Sequence, residues 1–412
     1  MRRDLRLWGT AAAALATALA AAGCRCGGST PGRPGKAASA LEAIPGDVDA
    51  VIVIHAEGLR QGSLGEFLYA PWVVRQLADW GGPPCAALAE STTRTAALGV
   101  RLTGGPQQVF FAAEGPTLED VKRCVDEHAR RQGLSSSYEE VEGVRGLTDS
   151  RGLHVLAAGE RVVARSFPFA NLTVLAEAAK VANGSAPSLA GNAAFRELVA
   201  ELGGDVTVAL SDATPLVAAY GEGLVEAAAG KIPADLCATP LETAMYLTTA
   251  RALGFGELRG IEAVIRTRLA GRESICLRDF AQEFLRAVAR VRAAGVTLTG
   301  RADVELGLVL VFADDAAAAE VRGVLADVVQ AVAALPANLD TLERDWPMLT
   351  ARIQKQIDLP TLHTTLRNPA FQHLTVSGAG PKVEVRLRVD EADVRVAVEK
   401  TLKLVSRLVA QN

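Results

Sequence analysis

Phe371-Gln-His-Leu-Thr-Val-Ser377, Gly378-Ala-Gly-Pro-Lys382 and Val383-Glu-Val-Arg-Leu-Arg-Val389 follow one another near the end of the chain. In the third stretch Val383, Val385, Leu387 and Val389 alternate with Glu384, Arg386 and Arg388. That period of two gives a strand one apolar face. Gly and Pro between two such runs mark a hairpin. Asp390 then suits a helix N-cap, and Val394, Val398, Leu402, Val405 and Val409 fall on one helical stripe. The unit is strand, turn, strand, helix.

The unit recurs upstream. Val304, Leu306, Leu308, Leu310 and Phe312 alternate, Asp314 and Asp315 suit an N-cap, and Val321, Val324, Leu325, Val328, Val332 and Leu335 keep helical spacing. Arg94 to Leu102 and Val109 to Ala113 precede a helix over Thr117 to Gln132, where Thr117 and Asp120 are spaced as a capping box. Thr243 to Ala252 and Ile261 to Leu269 read as another strand pair. The helix after them, from Ser274, buries Leu277, Phe280, Phe284, Leu285, Val288 and Val291. Ser135 to Val163 reads as further strands, Ala176 to Gly203 as mostly helix, and Pro336 to Pro369 shows little periodicity. Gly191-Asn192-Ala-Ala before Phe195 and Arg367-Asn368-Pro-Ala before Phe371 look like linking motifs of one kind. Repeated β-turn-β-α units make an α+β fold, with antiparallel sheets and helices packed on one face.

The body also reads as a duplication. Cys85 and Cys124 stand 39 residues apart, as do Cys237 and Cys276, and Cys-Ala-x-x-x-Glu-[Ser/Thr] opens at both Cys85 and Cys237. Gly46-Asp47-Val48 pairs likewise with Gly204-Asp205-Val206 at the head of two strand-like runs. Two diverged halves are expected, 41–203 and 204–412.

The other end of the chain carries an address. Arg2, Arg3 and Arg6 precede an apolar run, Leu7 to Ala22, too short for the roughly 20 residues that span a bilayer. Ala21-Ala22-Gly23-Cys24 resembles the lipobox of bacterial lipoproteins, with Ala where Leu is usual. The resemblance implies a signal peptide over 1–23, a diacylglyceryl group on the Cys24 thiol and acyl chains such as palmitate on the new amino terminus. An ordinary secretory signal, cleaved at an Ala-x-Ala site with Cys24 a bystander, is the other reading. Arg25 at the next position implies the outer membrane, with the body in the periplasm or at the surface. Residues 24–40, rich in Gly, Ser, Pro and Ala, read as a flexible tether of about 20–25 Å.

Lipobox, two halves and paired cysteines together are similar to an uncharacterised group of exported proteins that are common as lipoproteins in myxobacteria. That resemblance implies an architecture and no activity.

Removing residues 1–23 takes away three Arg and one Asp, moving the formal charge from −4 to −6. A mildly acidic body without a Lys/Arg block is not built for nucleic acid. Hydrophobic residues reach 49% and aromatics 5%, a foldable composition. In an oxidising compartment Cys85–Cys124 and Cys237–Cys276 bridges are expected from the repeat. Free buried thiols are the alternative, since Cys124 lies among Leu118, Val121 and Val125. Cys26, beside the anchor, is left over.

His55, His128, His154, His363 and His373 show no zinc spacing, although His363 and His373, which flank the least periodic stretch, could approach each other in space. No Gly-x-Ser-x-Gly elbow occurs. Gly254-Phe-Gly256-Glu-Leu-Arg-Gly260 superficially resembles a phosphate loop but reads as a turn between two strands, where phosphate binding needs a strand leading into a helix. Arg266, Arg268, Arg386 and Arg388, placed on outer strand faces, either meet an anionic polymer such as cell-wall glycan or form a solvated face balanced by Glu262 and Glu384. The chain is therefore expected to be a non-enzymatic, lipid-anchored envelope protein that binds or scaffolds. No cofactor or metal is expected, and the membrane is its partner through Cys24. The alternative is a periplasmic carrier of a hydrophobic ligand such as a lipid, held under a curved sheet lined by Ala, Val and Leu.

Overall fold

A computed structural model describes residues 33–62, 65–101, 108–150, 153–167, 172–230, 232, 234–300, 303–345 and 373–390. Cys24, Cys26, His363, the motif at Arg367 to Phe371 and the helix expected after Asp390 lie outside the described residues. The chain's described residues divide into two compact units, the first running from 33 to 211 with 295–304, the second from 212 to 294 with 305–345 and 373–390. The expected halves met at Gly203; here the change comes at Ser211, and 295–304 goes with the first unit.

The first unit is built on β1 (Ala50–His55), β2 (Thr95–Arg101), β3 (Gln108–Glu114), β4 (Ser136–Val141), β5 (Val144–Asp149), β6 (His154–Gly159), β7 (Val162–Phe167) and β8 (Val206–Leu210). They lie side by side in the order β8-β1-β2-β3-β7-β6-β5-β4. The pairings are antiparallel, with Ile52 opposite Val208, Val53 opposite Ala97 and Ala97 opposite Ala112. Its helices are α1 (Ala56–Gln61), α2 (Arg75–Gly81), α3 (Pro83–Ala87), α4 (Leu118–Gln132), α5 (Leu172–Ala182) and α6 (Ala193–Leu202).

Alternation along the strands divides the core between two faces. Leu98, Phe111, Ala113, Val155 and Val163 face α1 to α4, packing with Leu59, Leu77, Val121 and Val125. Phe110 and Gly99 point the other way; a methyl group at Gly99 would strike Ile44. That second face is covered by the 3-10 turn Ala40–Ala43 and by α5, which buries Val174, Leu175, Ala178 and Ala179. Small residues at the sheet centre let both layers approach closely. The capping box expected at α4 is formed: Thr117 Oγ1 accepts from the Asp120 N–H at 3.1 Å, and Asp120 accepts from the Thr117 N–H at 2.9 Å. Asn192 caps α6 in the same manner, accepting from the Phe195 N–H.

The tether reading of 24–40 needs correction over its second half. Gly35 N–H donates to the Ala157 carbonyl at 2.7 Å, Ala37 N–H to Ala158 at 2.9 Å and Lys36 N–H to Ala182 at 2.7 Å. Ala37 and Ala40 are buried. The segment fits because it is small: a Cβ at Gly35 would collide with the Ala158 and Ala182 carbonyls, and one at Gly159 with Ala37. Residues 24–32 of the expected tether lie outside the described residues.

The second unit contains α7 (Thr214–Ala229), β9 (Cys237–Ala238), α8 (Pro240–Ala252), α9 (Arg259–Arg268), β10 (Ile275–Cys276) and α10 (Leu277–Val288). There follow β11 (Val291–Gly300), β12 (Val304–Phe312), α11 (Asp315–Asp345), β13 (Leu374–Ser377) and β14 (Lys382–Val389). The opening hairpin of the sequence reading is present, Val376 opposite Val385 across β13 and β14. Under it Phe312, Ala317, Ala318, Val321 and Val383 form a core joined by Phe284 and Val288 of α10. Asp314 Oδ1 accepts from the Ala317 N–H at 2.8 Å and so caps α11, which continues through Pro336.

Thr243 to Ala252 and Ile261 to Leu269 are helices, not strands. Pro240 at the first helical position and a second capping box, Thr239 with Glu242, start α8. In α9 only Val264 is fully buried, with Leu269 behind it. β-branched residues in both stretches made each resemble a strand.

Candidate functional site

Both expected disulfides are formed, in unlike surroundings. Cys85–Cys124 ties α3 to the middle of α4, and both residues are fully buried in the apolar cluster of the first unit. Beside it Trp80 stacks on His128 at 3.8 Å, and the Trp80 carbonyl lies 2.8 Å from His128 Nδ1. Cys237–Cys276 ties β9 to β10, two-residue strands at the edge of the second unit, and both residues are only half-buried.

The first unit also encloses charge that the amphipathic reading of α4 missed. Lys122 is 2% exposed and sits 3.4 Å from Asp126, with its Nζ 5.5 Å from the Tyr138 ring centroid. Burial pushes the Asp126 carboxyl up to about 6, opposed by the Ser136 hydroxyl that donates to it at 2.8 Å. Tyr138 donates to Glu119, which also accepts from Arg145 at 2.7 Å, and burial pushes the Tyr138 hydroxyl up to about 12. His154 Nδ1 lies 2.6 Å from Glu139. The sequence signal was the spacing of Lys122 and Asp126 on one helix face. These contacts fasten β4 and β5 to α4.

A small cavity of about 20 Å³ lies under β3 and β7, lined by Thr93, Phe111, Val121, Val163 and Arg165. That volume holds one water molecule. Thr93 Oγ1 is buried there without a protein partner. Burial pushes the Arg165 guanidinium down to about 9, against the attraction of Asp149. A lipid carrier needs a pocket of roughly 300–1,000 Å³, which this cavity does not supply.

The glycine loop 254–260 joins α8 to α9, helix to helix. Buried Leu258 ends it in the left-handed region at φ 56°. In the first turn of α9 the Ile261 N–H is already served, donating to Asp327 of α11 at 2.8 Å. Arg266 and Arg268 stand on α9, not on a strand, and pair with Glu262 at 3.5 Å and Glu320 at 3.0 Å. Arg386 and Arg388 are exposed on β14 as expected; Arg386 pairs with Glu305 at 3.3 Å and Glu384 at 3.4 Å. His55 and His373 are exposed. Among the described residues no group of three or more His, Cys, Asp and Glu is placed to hold a metal ion.

Exposed apolar side chains gather in the second unit on α8, where Leu241 is 73% and Met245 61% exposed, and on Leu277 beside the Cys237–Cys276 bridge. No described helix is long and apolar enough to cross a membrane.

No family model matches the chain. No curated protein matches it either. Among solved structures it is similar to crystal form III of TP0453, with a TM-score of 0.41 and 7% identity over 88% of this chain and 99% of that one. Crystal forms I and IV of TP0453 align at TM-scores of 0.38 and 0.35, each at 8% identity and 88% of this chain, with 98% and 97% of their own. What the molecule shows by itself is an α+β fold on antiparallel strands, stapled by two disulfides.

Proposed function

We propose that the chain is a lipid-anchored envelope protein, held to the membrane through a lipid on Cys24, whose body binds or scaffolds without catalysing a reaction. The observation that carries the reading is the pair of disulfides, one in each unit, which fit an exported protein. The basic start, short apolar run and Ala21-Ala22-Gly23-Cys24 supply the export route and the lipid acceptor. Arg25 favours the outer membrane as the destination. The docked segment 33–40 supports the anchor geometry, because Arg33, nine residues after Cys24, is already hydrogen-bonded to the body.

Replacing Cys24 with Ala tests the proposal. The variant is expected to move from the membrane to the soluble fraction with its body folded and its disulfides intact, while mass spectrometry of the wild-type N-terminal peptide shows the acyl chains. Retention on the membrane after signal cleavage would rule the anchor out.

A further inference from the structure

We propose that Cys237–Cys276 is a site of thiol–disulfide exchange, open to a dithiol reductant of the exported compartment, and that its reduction releases the start of α8. Cys85–Cys124 in this reading is an inert staple. The two bridges close chain segments of the same length, 39 residues, so loop size does not distinguish them. Access does. Exchange needs a thiolate to approach a sulfur in line with the bond, and the sulfurs of Cys85 and Cys124 lie wholly inside the apolar cluster. Those of Cys237 and Cys276 lie in two-residue strands at the surface.

The surroundings also set the direction of attack. Cys276 is the N-cap of α10, a helix of 12 residues whose first amide groups favour an anion. The Ser274 hydroxyl stands 4.0 Å from Cys276 Sγ. The nearest carboxylate of that first turn, Asp279, is held by Arg272 at 2.6 Å. Cys237 Sγ, by contrast, lies 3.3 Å from the Ala234 carbonyl oxygen, which stabilises no thiolate. Cys276 is thus the better leaving group. The reductant's thiolate bonds to Cys237 Sγ, the S–S bond breaks, and its electron pair leaves on Cys276. The reductant's second thiol then displaces Cys237, so that the reductant ends as a disulfide and its two protons end on the two cysteines.

The release follows from how α8 is held. None of its residues is buried, and a 13-residue helix is marginal alone in water. Its far end is fixed by Arg251, which pairs with Glu262 at 2.6 Å and donates to the Glu257 carbonyl at 2.7 Å. Its near end hangs on the disulfide, the two-residue strands and the Thr239–Glu242 box. Reduction leaves the end that carries Leu241, Met245 and Tyr246 without its covalent tie.

The full chain is incubated with graded dithiothreitol, alkylated with iodoacetamide and mapped by mass spectrometry; a second sample receives reduced glutathione. Expected are alkylation of Cys237 and Cys276 at a dithiothreitol concentration at least tenfold below that which opens Cys85–Cys124, and a glutathione adduct on Cys237. Chymotryptic cleavage after Leu241 and Tyr246 is expected to rise at least fivefold on reduction. The Cys237→Ser/Cys276→Ser variant, with its helix content checked by circular dichroism, is expected to show the same cleavage without reductant. Opening of both bridges at one concentration, an adduct on Cys276, or reduction with no change in cleavage would each overturn the proposal.

Discussion

Gly260→Ala and Gly323→Ala make a matched pair of perturbations at one helix crossing. Within the second unit α9 crosses α11 so closely that a Cβ at Gly260 would lie inside the Gly323 carbonyl group and against the Val324 nitrogen. Backbone cannot swing aside as a side chain does, so the helices must part by about 1 Å. Overpacking of this kind costs about 1–3 kcal/mol. Parting also strains the bond from the Ile261 N–H to Asp327. Near the start of α9 the usual gain from Gly to Ala, about 0.5–1 kcal/mol, offsets only part of this. A net loss of about 1–2 kcal/mol is expected. At Gly323 the same methyl group meets one atom, the Gly260 Cα at 3.2 Å, and needs a shift of a few tenths of an ångström. There the propensity gain roughly balances the contact, and the net change stays within about 0.5 kcal/mol. Urea unfolding followed by circular dichroism at 222 nm compares the two. Equal midpoints for the two variants, or a Gly260→Ala midpoint at the wild-type value, would refute the close crossing.

The buried carboxyl of Asp126 titrates at about 6. A carboxyl raised above its unfolded value binds its proton first in the folded state, so its contribution favours folding in acid and is lost as pH climbs from about 4 through 6. Asp126→Asn is expected to flatten that part of the stability profile in a series of urea midpoints; parallel profiles would assign the slope to another group. Cys85→Ala/Cys124→Ala is expected to cost the first unit about 3–4 kcal/mol through the freed loop, read in urea from the tryptophan fluorescence, to which Trp80 beside the bridge contributes. An unchanged midpoint would show that the bridge constrains nothing.

Strand alternation at 383–389 was readable because that strand turns Val383 inward and Arg386 and Arg388 outward. At 304–312 the strand is present, but the alternation did not give its burial, since Leu306 is exposed and Val309 buried. The same rule misled at 243–252 and 261–269, where Thr, Val and Ile signalled strands while the start signals of a helix, Thr239, Pro240 and Glu242, lay just upstream. The cysteine pairs were legible through their repeated spacing, yet the spacing said nothing of exposure, which depends on what packs around each bridge. Residues 35–40 looked like linker because Gly, Ala and Ser are common in linkers; they are equally what a chain needs to lie against a sheet whose own strands are alanine-rich. Lys122 and Asp126 were hidden by the apolar stripe of α4, because α3 and β4 cover the flanks of that stripe and take charged positions inside with it.

The docked segment at Gly35 to Ala37 also decides how the body bears load. A pull delivered through residue 33 meets backbone hydrogen bonds at once, first where Arg33 accepts from the Arg145 N–H of β5 at 3.0 Å and then along β6 and the end of α5. Load entering there is shared by three elements of the first unit before it reaches the core.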